Sequence, residues 1–236
     1  MKLAMISGAN RGIGLAIARE LAAAGYRLSL GVRDPRRLPK DLEHFADLSF
    51  AYDAADPGAG RAWVEATMAI SGRIDVLVNN AGIAEHLGLM EEPPLPDAEA
   101  EATLDRLLAI NVKAPFLLTR AALPHLCASG AGRIVTVSSM SGKRVLGLNA
   151  GYQVAKHAAV ALSNAARRTG WEHGVRGTAV CPAYVATDMT VKHGELDREE
   201  ITQPEDLAKL VAHVIQLPNS AAVAELLVNW RYEPGY

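Results

Sequence analysis

Ser7-Gly8-Ala9-Asn10-Arg11-Gly12-Ile13-Gly14 stands between an apolar, β-prone run at 2–7 and an amphipathic run at 12–24. Glycines let the chain turn tightly and let other groups approach the backbone. The helix that follows would open with unpaired N–H groups and the positive end of its dipole. A pyrophosphate fits such a place. A glycine-rich turn can also be purely structural. The strand before it and the helix after it are the context a dinucleotide fingerprint needs.

The same alternation continues outward from this turn. Apolar runs at 27–32, 47–52, 74–79, 132–138, 175–181 and 224–229 read as strands. Runs at 58–71, 103–128, 151–172 and 204–216 have helical spacing and length. Strands as uniformly apolar as Val76-Leu77-Val78 suit a parallel sheet covered on both faces. Strand–helix repetition implies right-handed crossovers. The expected fold is α/β, a doubly wound parallel sheet of about seven strands, with ligands at the carboxyl ends of the strands.

The chain has 236 residues, half of them hydrophobic, which suits one large domain over 1–236 with a sizeable core. A formal charge of -2 offers no bulk attraction to nucleic acid or anionic membranes. No uninterrupted apolar run approaches the ~20 residues of a membrane span. Cys127 and Cys181 lack metal-site or redox spacing and read as reduced core residues. The expectation is a cytoplasmic protein. The seven histidines are scattered, without an H-E-x-x-H or a helix-face pair joined by an acid, so no metal site is expected.

Further along, Asn79-Asn80-Ala81-Gly82 ends the fourth strand, and Tyr152 and Lys156 stand four residues apart at the start of a helix. Residues i and i+4 share a helix face, about 6 Å apart along the axis. Tyrosine ordinarily titrates near ~10, and a nearby cation favours the phenolate. Tyr and Lys with this spacing occur on many helices, so the pair alone decides nothing. Taken with the glycine turn, whose spacing is G-x-x-x-G-x-G, these motifs resemble the short-chain dehydrogenase/reductase family in its single-domain form. The likeness spans residues 2 to about 190, with Ser7 in place of the usual threonine.

The resemblance implies a nicotinamide dinucleotide held by Gly8, Asn10, Arg11, Gly12, Ile13 and Gly14. It further implies Asp53 at the adenine amine, and Asn79, Ala81 and Gly82 along the cofactor, with Asn80 bracing the sheet. Pro182, Val185 and Thr187 would lie near the nicotinamide and phosphates, and Tyr152 and Lys156 would also touch the cofactor. Val32 stands where the family's NAD-preferring members usually carry Asp, and Arg33 follows it. Arg11 and Arg33 can clamp a 2′-phosphate by charge-assisted bonds. NADP(H) is therefore expected over NAD(H). Arg36 and Arg37 read as solvated, and Asp34, followed by Pro35, reads as a cap for the next helix.

The catalytic set implied by the resemblance is Asn111, Ser139, Tyr152 and Lys156. Ser139 stands thirteen residues before Tyr152, and no G-x-S-x-G elbow surrounds it. Tyr152 would be the general acid for reduction, and Lys156 would stabilise its phenolate and hold the nicotinamide ribose. Ser139 would polarise the substrate oxygen, and Asn111 would anchor a relay water. Ser138 and Ser141 read as structural. Ala183 replaces a usual glycine, which matters only if that backbone needs a positive φ.

Residues 83–102 read as a polar loop at the mouth of the site. Residues 189–203, with Lys192, His193 and Glu195, read as a short polar substrate lid over a small pocket. The expected substrate is a small carbonyl or alcohol, and the expected assembly a homodimer or homotetramer through the helices at 103–128 and 151–172. Two other readings stay open: an NADP-binding sensor or scaffold without turnover, and an isomerase or dehydratase of the same fold.

Overall fold

A computed structural model describes residues 1–191 and 197–232. Leu3–Ser7 (β1) sends Ala4 and Ile6 into one buried layer, and Leu3 and Met5 into the other. Successive side chains of a strand point to opposite faces, so a strand covered on both sides must be apolar throughout. Six more strands join it: Arg27–Val32 (β2), Ala46–Ala51 (β3), Val76–Asn79 (β4), Arg133–Val137 (β5), Arg176–Pro182 (β6) and Glu225–Val228 (β7). All pairings are parallel, in the order β3-β2-β1-β4-β5-β6-β7. This is the doubly wound sheet that the alternation implied, with strand limits within two residues of those expected.

The helices are Gly12–Ala23 (α1), Ala59–Ser71 (α2), Asp97–Leu108 (α3), Ala114–Ala128 (α4), Ala150–Gly170 (α5), Asp188–Val191 (α6) and Pro204–Gln216 (α7). Ile17 and Leu21 of α1 meet Leu207 and Val211 of α7 on one face of the sheet. Trp63 of α2, Leu118 and Leu126 of α4 and Ala166 of α5 fill the other. The strand order reverses at β1, which has β2 on one side and β4 on the other. The crevice that such a reversal opens lies at the carboxyl ends of these strands, beside Ser7 and Asn79.

One expectation is corrected here. The polar stretch read as a loop through 102 turns helical at Asp97, six residues before the expected helix start at 103. Its first turns lie in solvent, with Asp97 and Glu99 at the positive end of the dipole, so no apolar face announced the helix. α3 runs into α4 without a break, as the single run at 103–128 implied. Asp97–Ala128 thus forms 32 continuous helical residues, long and apolar enough by length and composition to cross a membrane. Arg106, Lys113 and Arg120 interrupt its apolar run, and Leu107, Leu118 and Leu126 are completely buried in this fold.

Between α3 and α4, Ala109–Lys113 forms a π-helical turn. Residue 115 is proline, which has no N–H for the carbonyl four residues earlier, that of Asn111. A widened turn is one way for a helix to pass such a residue.

Candidate active site

The glycine turn is organised by Ser7. Its buried hydroxyl donates to the Val78 carbonyl at 3.3 Å and accepts from the amides of Asn80 at 2.9 Å and Ala81 at 3.0 Å. Asn80 returns its Nδ2 to the carbonyls of Ser7 at 2.9 Å and Gly8 at 3.2 Å. This is the bracing expected of Asn80, and it joins β1 to β4 across the crevice. A Cβ on Gly14 would lie 2.3 Å from the Gly8 carbonyl oxygen, so only glycine closes the turn. Arg11 occupies the N-cap of α1 without a side-chain cap bond, so no side chain of the cap takes up the first amides of α1.

Asp34 is a cap and Arg36 and Arg37 are exposed, as the sequence suggested. Arg33 is exposed just past the end of β2. Asp34 caps the short 3-10 helix Pro35–Arg37, accepting from the Arg36 amide at 3.1 Å and from the Arg36 guanidinium at 2.9 and 3.1 Å. Those bonds, with the charge of Arg36, hold the Asp34 carboxyl below the usual range. Asp34 is therefore spent on Arg36, with Arg37 also near at 4.0 Å.

At the end of β3, Asp53 accepts from the Ala55 amide at 2.9 Å in an exposed turn. Asn79 is buried and donates to Thr119 Oγ1 at 2.9 Å, so its side chain serves the layer beneath the sheet. Its Oδ1 is buried without a hydrogen-bond partner.

The catalytic candidates converge on the first turns of α5. Lys156 is buried and donates to the Val137 carbonyl at 3.2 Å; its Nζ stands 5.5 Å from the centre of the Tyr152 ring. Asn111 and Lys156 both face Gly82. A Cβ on Gly82 would fall 2.8 Å from Asn111 Oδ1 and 3.7 Å from Lys156 Nζ. Asn111 spends both ends of its amide on Ile83, accepting from the N–H and donating to the C=O, each at 3.0 Å. The mid-helix asparagine thus pins the chain that leaves Gly82.

Ser139 caps the 3-10 turn Met140–Gly142, accepting from the Ser141 amide at 3.1 Å. That turn is docked on α5. Ser138 Oγ donates to the Lys156 carbonyl at 2.8 Å, and a Cβ on Gly142 would come within 2.5 Å of the same oxygen. Ser138 is structural, as expected.

After β6, Val185 bridges Thr202, and Ala186 N–H donates to the Thr202 carbonyl at 2.9 Å. Thr187 is carried against the glycine turn, its Cγ2 being 3.2 Å from where a Gly12 Cβ would be. Among the described residues only glycines have positive φ, so Ala183 takes the place of the usual glycine without strain. Of the expected lid, Lys192, His193 and Glu195 lie outside the described residues.

A sequence model of the short chain dehydrogenase family matches residues 2–197. The chain belongs to the short-chain dehydrogenase/reductase family. Among its relatives is agropine synthesis reductase of Rhizobium rhizogenes, 42% identical over 226 residues that cover 93% of this chain and 50% of that protein. The chain therefore spans about half the length of that relative. The 2-(R)-hydroxypropyl-CoM dehydrogenase of Xanthobacter autotrophicus is 32% identical over 96% of this chain and 90% of its own length. Two solved structures superpose over nearly the whole chain. A 3-ketoacyl-(acyl-carrier-protein) reductase from Brucella melitensis complexed with NADH has a TM-score of 0.83 at 27% identity, covering 97% of both chains. A metagenomic short-chain oxidoreductase in complex with NADP has a TM-score of 0.79 at 33% identity, covering 97% of this chain and 96% of that one.

Within this family member, two site residues escaped the sequence reading. Asn149 caps α5 by accepting from the Tyr152 amide at 3.3 Å. It also accepts from the Leu87 amide at 3.1 Å and donates to the Glu85 carbonyl at 3.0 Å, fastening the loop after β4 to the start of α5. Gln153, buried, donates to the carbonyls of Leu146 at 2.6 Å and Gly147 at 3.2 Å. Asparagine just before a helical run is a recognised cap signal and could have marked Asn149. Nothing local marks Gln153.

Proposed function

We propose that this protein is an NADP(H)-dependent oxidoreductase that interconverts a carbonyl and an alcohol, with Tyr152 as general acid and base. The observation that carries the reading is the Lys156 ammonium 5.5 Å from the Tyr152 ring, in a site that also holds Asn111 and the Ser139 turn. The cofactor fits the residues present. The glycines of the Gly8–Gly14 turn pack against Asn80, Thr187 and the turn's own backbone, and α1 presents amides with no side-chain cap, a place suited to a pyrophosphate.

Gly8, Asn10, Gly12, Ile13 and Gly14 would hold the pyrophosphate, with Asp53 and the Asn79–Gly82 backbone along the adenine side of the crevice. Pro182, Val185 and Thr187 would bound the nicotinamide. Exposed Arg33, with Arg11 in the turn, supports a 2′-phosphate and hence NADP(H). When bound, the cofactor supplies or accepts the hydride at the substrate carbon.

The residues of the chain handle the proton. Tyr152 Oη gives a proton to the carbonyl oxygen during reduction and takes it back during oxidation. Lys156 sets positive charge where the phenolate's negative charge develops. Ser139 Oγ orients the substrate oxygen by donating to it. The Asn111 carbonyl, which gets no i+4 donor because residue 115 is proline, is the group to hold a relay water beside Lys156.

The same reading takes residues 1–236 as one domain acting in the cytoplasm, and as a homo-oligomer through α4 and α5. Exposed Phe116 and Val154 on those helices favour that assembly. The test is a matched titration with NADPH and NADH, then turnover on a panel of aldehydes and ketones. NADPH should bind more tightly, and Tyr152→Phe should lower kcat by about 10²–10⁴-fold with NADPH binding intact. Full turnover by Tyr152→Phe would sink the assignment.

A further inference from the structure

Five large apolar side chains stand in solvent in two loops beside Tyr152. Leu89 and Met90 follow β4, and are 95% and 86% exposed; Val145, Leu146 and Leu148 precede α5, and are 71%, 63% and 79% exposed. Single exposed apolar residues are ordinary, but a contiguous group of this size marks a place where something docks.

The two loops touch. A Cβ on Gly88 would lie 3.3 Å from the Leu148 carbonyl oxygen, which brings the backbones of the two loops together at these residues. Both loops are also anchored to the helix that carries Tyr152. Asn149 fastens 85–87 and Gln153 fastens 146–147, and the Gly151 amide donates to the Leu87 carbonyl at 2.9 Å. The backbone of this rim is thus built with polar bonds, while its side chains are left outside.

The charges nearby are spent within the protein. Glu85 pairs with Arg106 at 2.9 Å, and Glu91 accepts from the Gly88 amide at 2.8 Å. Residues 145–149 carry no charged side chain at all. Lys143, which with Arg144 opens the second loop, pairs with Glu225 at 2.7 Å, and an alkyl or acyl chain would find the apolar side chains of Val145, Leu146 and Leu148 beginning within four residues of Tyr152.

We propose that the substrate is a carbonyl compound bearing an aliphatic arm, and that the arm lies across the Leu146–Leu148 and Leu89–Met90 rim while its carbonyl meets Tyr152. The proposal rests on the reductase reading above. In the reduction, the hydride goes to the carbonyl carbon, the Tyr152 proton goes to the oxygen, and the arm is unchanged.

The test is NADPH-dependent turnover of a homologous series of unbranched aliphatic aldehydes by the full chain, beside a polyhydroxylated aldehyde. Each added methylene should raise kcat/KM by about two- to fourfold until the rim is covered, the range expected for partial to full burial. Leu146→Ser with Leu148→Ser should flatten that rise, costing the longer aldehydes more than the shortest. Both side chains are exposed, so the variant should fold; thermal unfolding checks this.

Turnover with no gain along the series, or a gain that the variant leaves intact, overturns the aliphatic arm and leaves the reductase reading standing. Tight NADPH binding with no carbonyl reduced overturns the reductase reading itself. A smaller assembly for Leu148→Ser in sedimentation would assign the rim to contacts between copies and would likewise overturn the proposal.

Discussion

The Arg11 guanidinium lies 3.3 Å from the Asp188 carboxylate, joining the glycine turn to the first residue of α6 across 177 positions of sequence. Both side chains are about 60% exposed. An ion pair so open to water contributes about 0–1 kcal/mol. Asp188 therefore engages the same guanidinium that the proposed 2′-phosphate would use. Arg11 must leave Asp188, or share itself, when NADP(H) is held. Asp188→Asn should tighten NADPH binding by about two- to fivefold and leave NADH within about twofold, a comparison made by fluorescence titration of both cofactors. Equal shifts for the two cofactors would show that Asp188 acts on the turn as a whole.

Asn149 satisfies the start of α5 and ties down the 85–87 loop with one side chain. Removing a helix cap costs about 0.5–2 kcal/mol. For a chain of this size, that is a fall in Tm of roughly 1–8 °C. Asn149→Ala should show such a fall and should also lower kcat, by about tenfold, because the first turn of α5 positions Tyr152. Asn149→Asp keeps the acceptor for Tyr152 and Leu87 but loses the donor to Glu85, so it should recover most of the stability. Unfolding curves and kcat for the pair of variants, with NADPH binding as the control, separate cap from clamp.

Two buried acids make stability fall in alkali. Burial, with the charge of Glu225, pushes the Cys181 thiol up to about 11, and burial, with Asp53, pushes the Tyr52 phenol up to about 12. In each case the folded state holds its proton longer than the unfolded chain. The contribution is thus fully present below the ordinary value, near ~9 for the thiol and ~10 for the phenol, and is lost as pH rises through the folded value. Urea unfolding should give steady stability up to about pH 9 and then a decline, on the order of 2–3 kcal/mol per group if fully realised. Cys181→Ala should remove the part of the decline between about pH 9 and 11. An unchanged alkaline slope in that variant would show that the thiol is not its source.

How far the sequence reached depended on the range of the interaction. The sheet was legible because alternation and helical spacing follow from backbone geometry within a few residues. Tyr152 and Lys156 were legible for the same reason: four residues on one helix are neighbours in any fold that keeps the helix. Ser7 to Gly14 was legible because a turn that admits no Cβ at Gly14 requires glycine there whatever surrounds it. The start of α3 at Asp97 was not, because its first turns face water and carry no apolar stripe.

The sequence by itself thus determined the doubly wound sheet, the dinucleotide turn at its switch point and the Tyr152–Lys156 pair. Only the tertiary structure decided what Arg11, Asn111, Asn149 and Gln153 do. Arg11 meets Asp188, Asn111 holds Ile83, and Asn149 and Gln153 fasten two adjoining loops to the helix of Tyr152. The physical reason is that each of these contacts joins loop backbone or a distant element to a helix. Such partners are set by how the loops cross the sheet edge once the layers have packed, and short-range periodicity carries no record of that path.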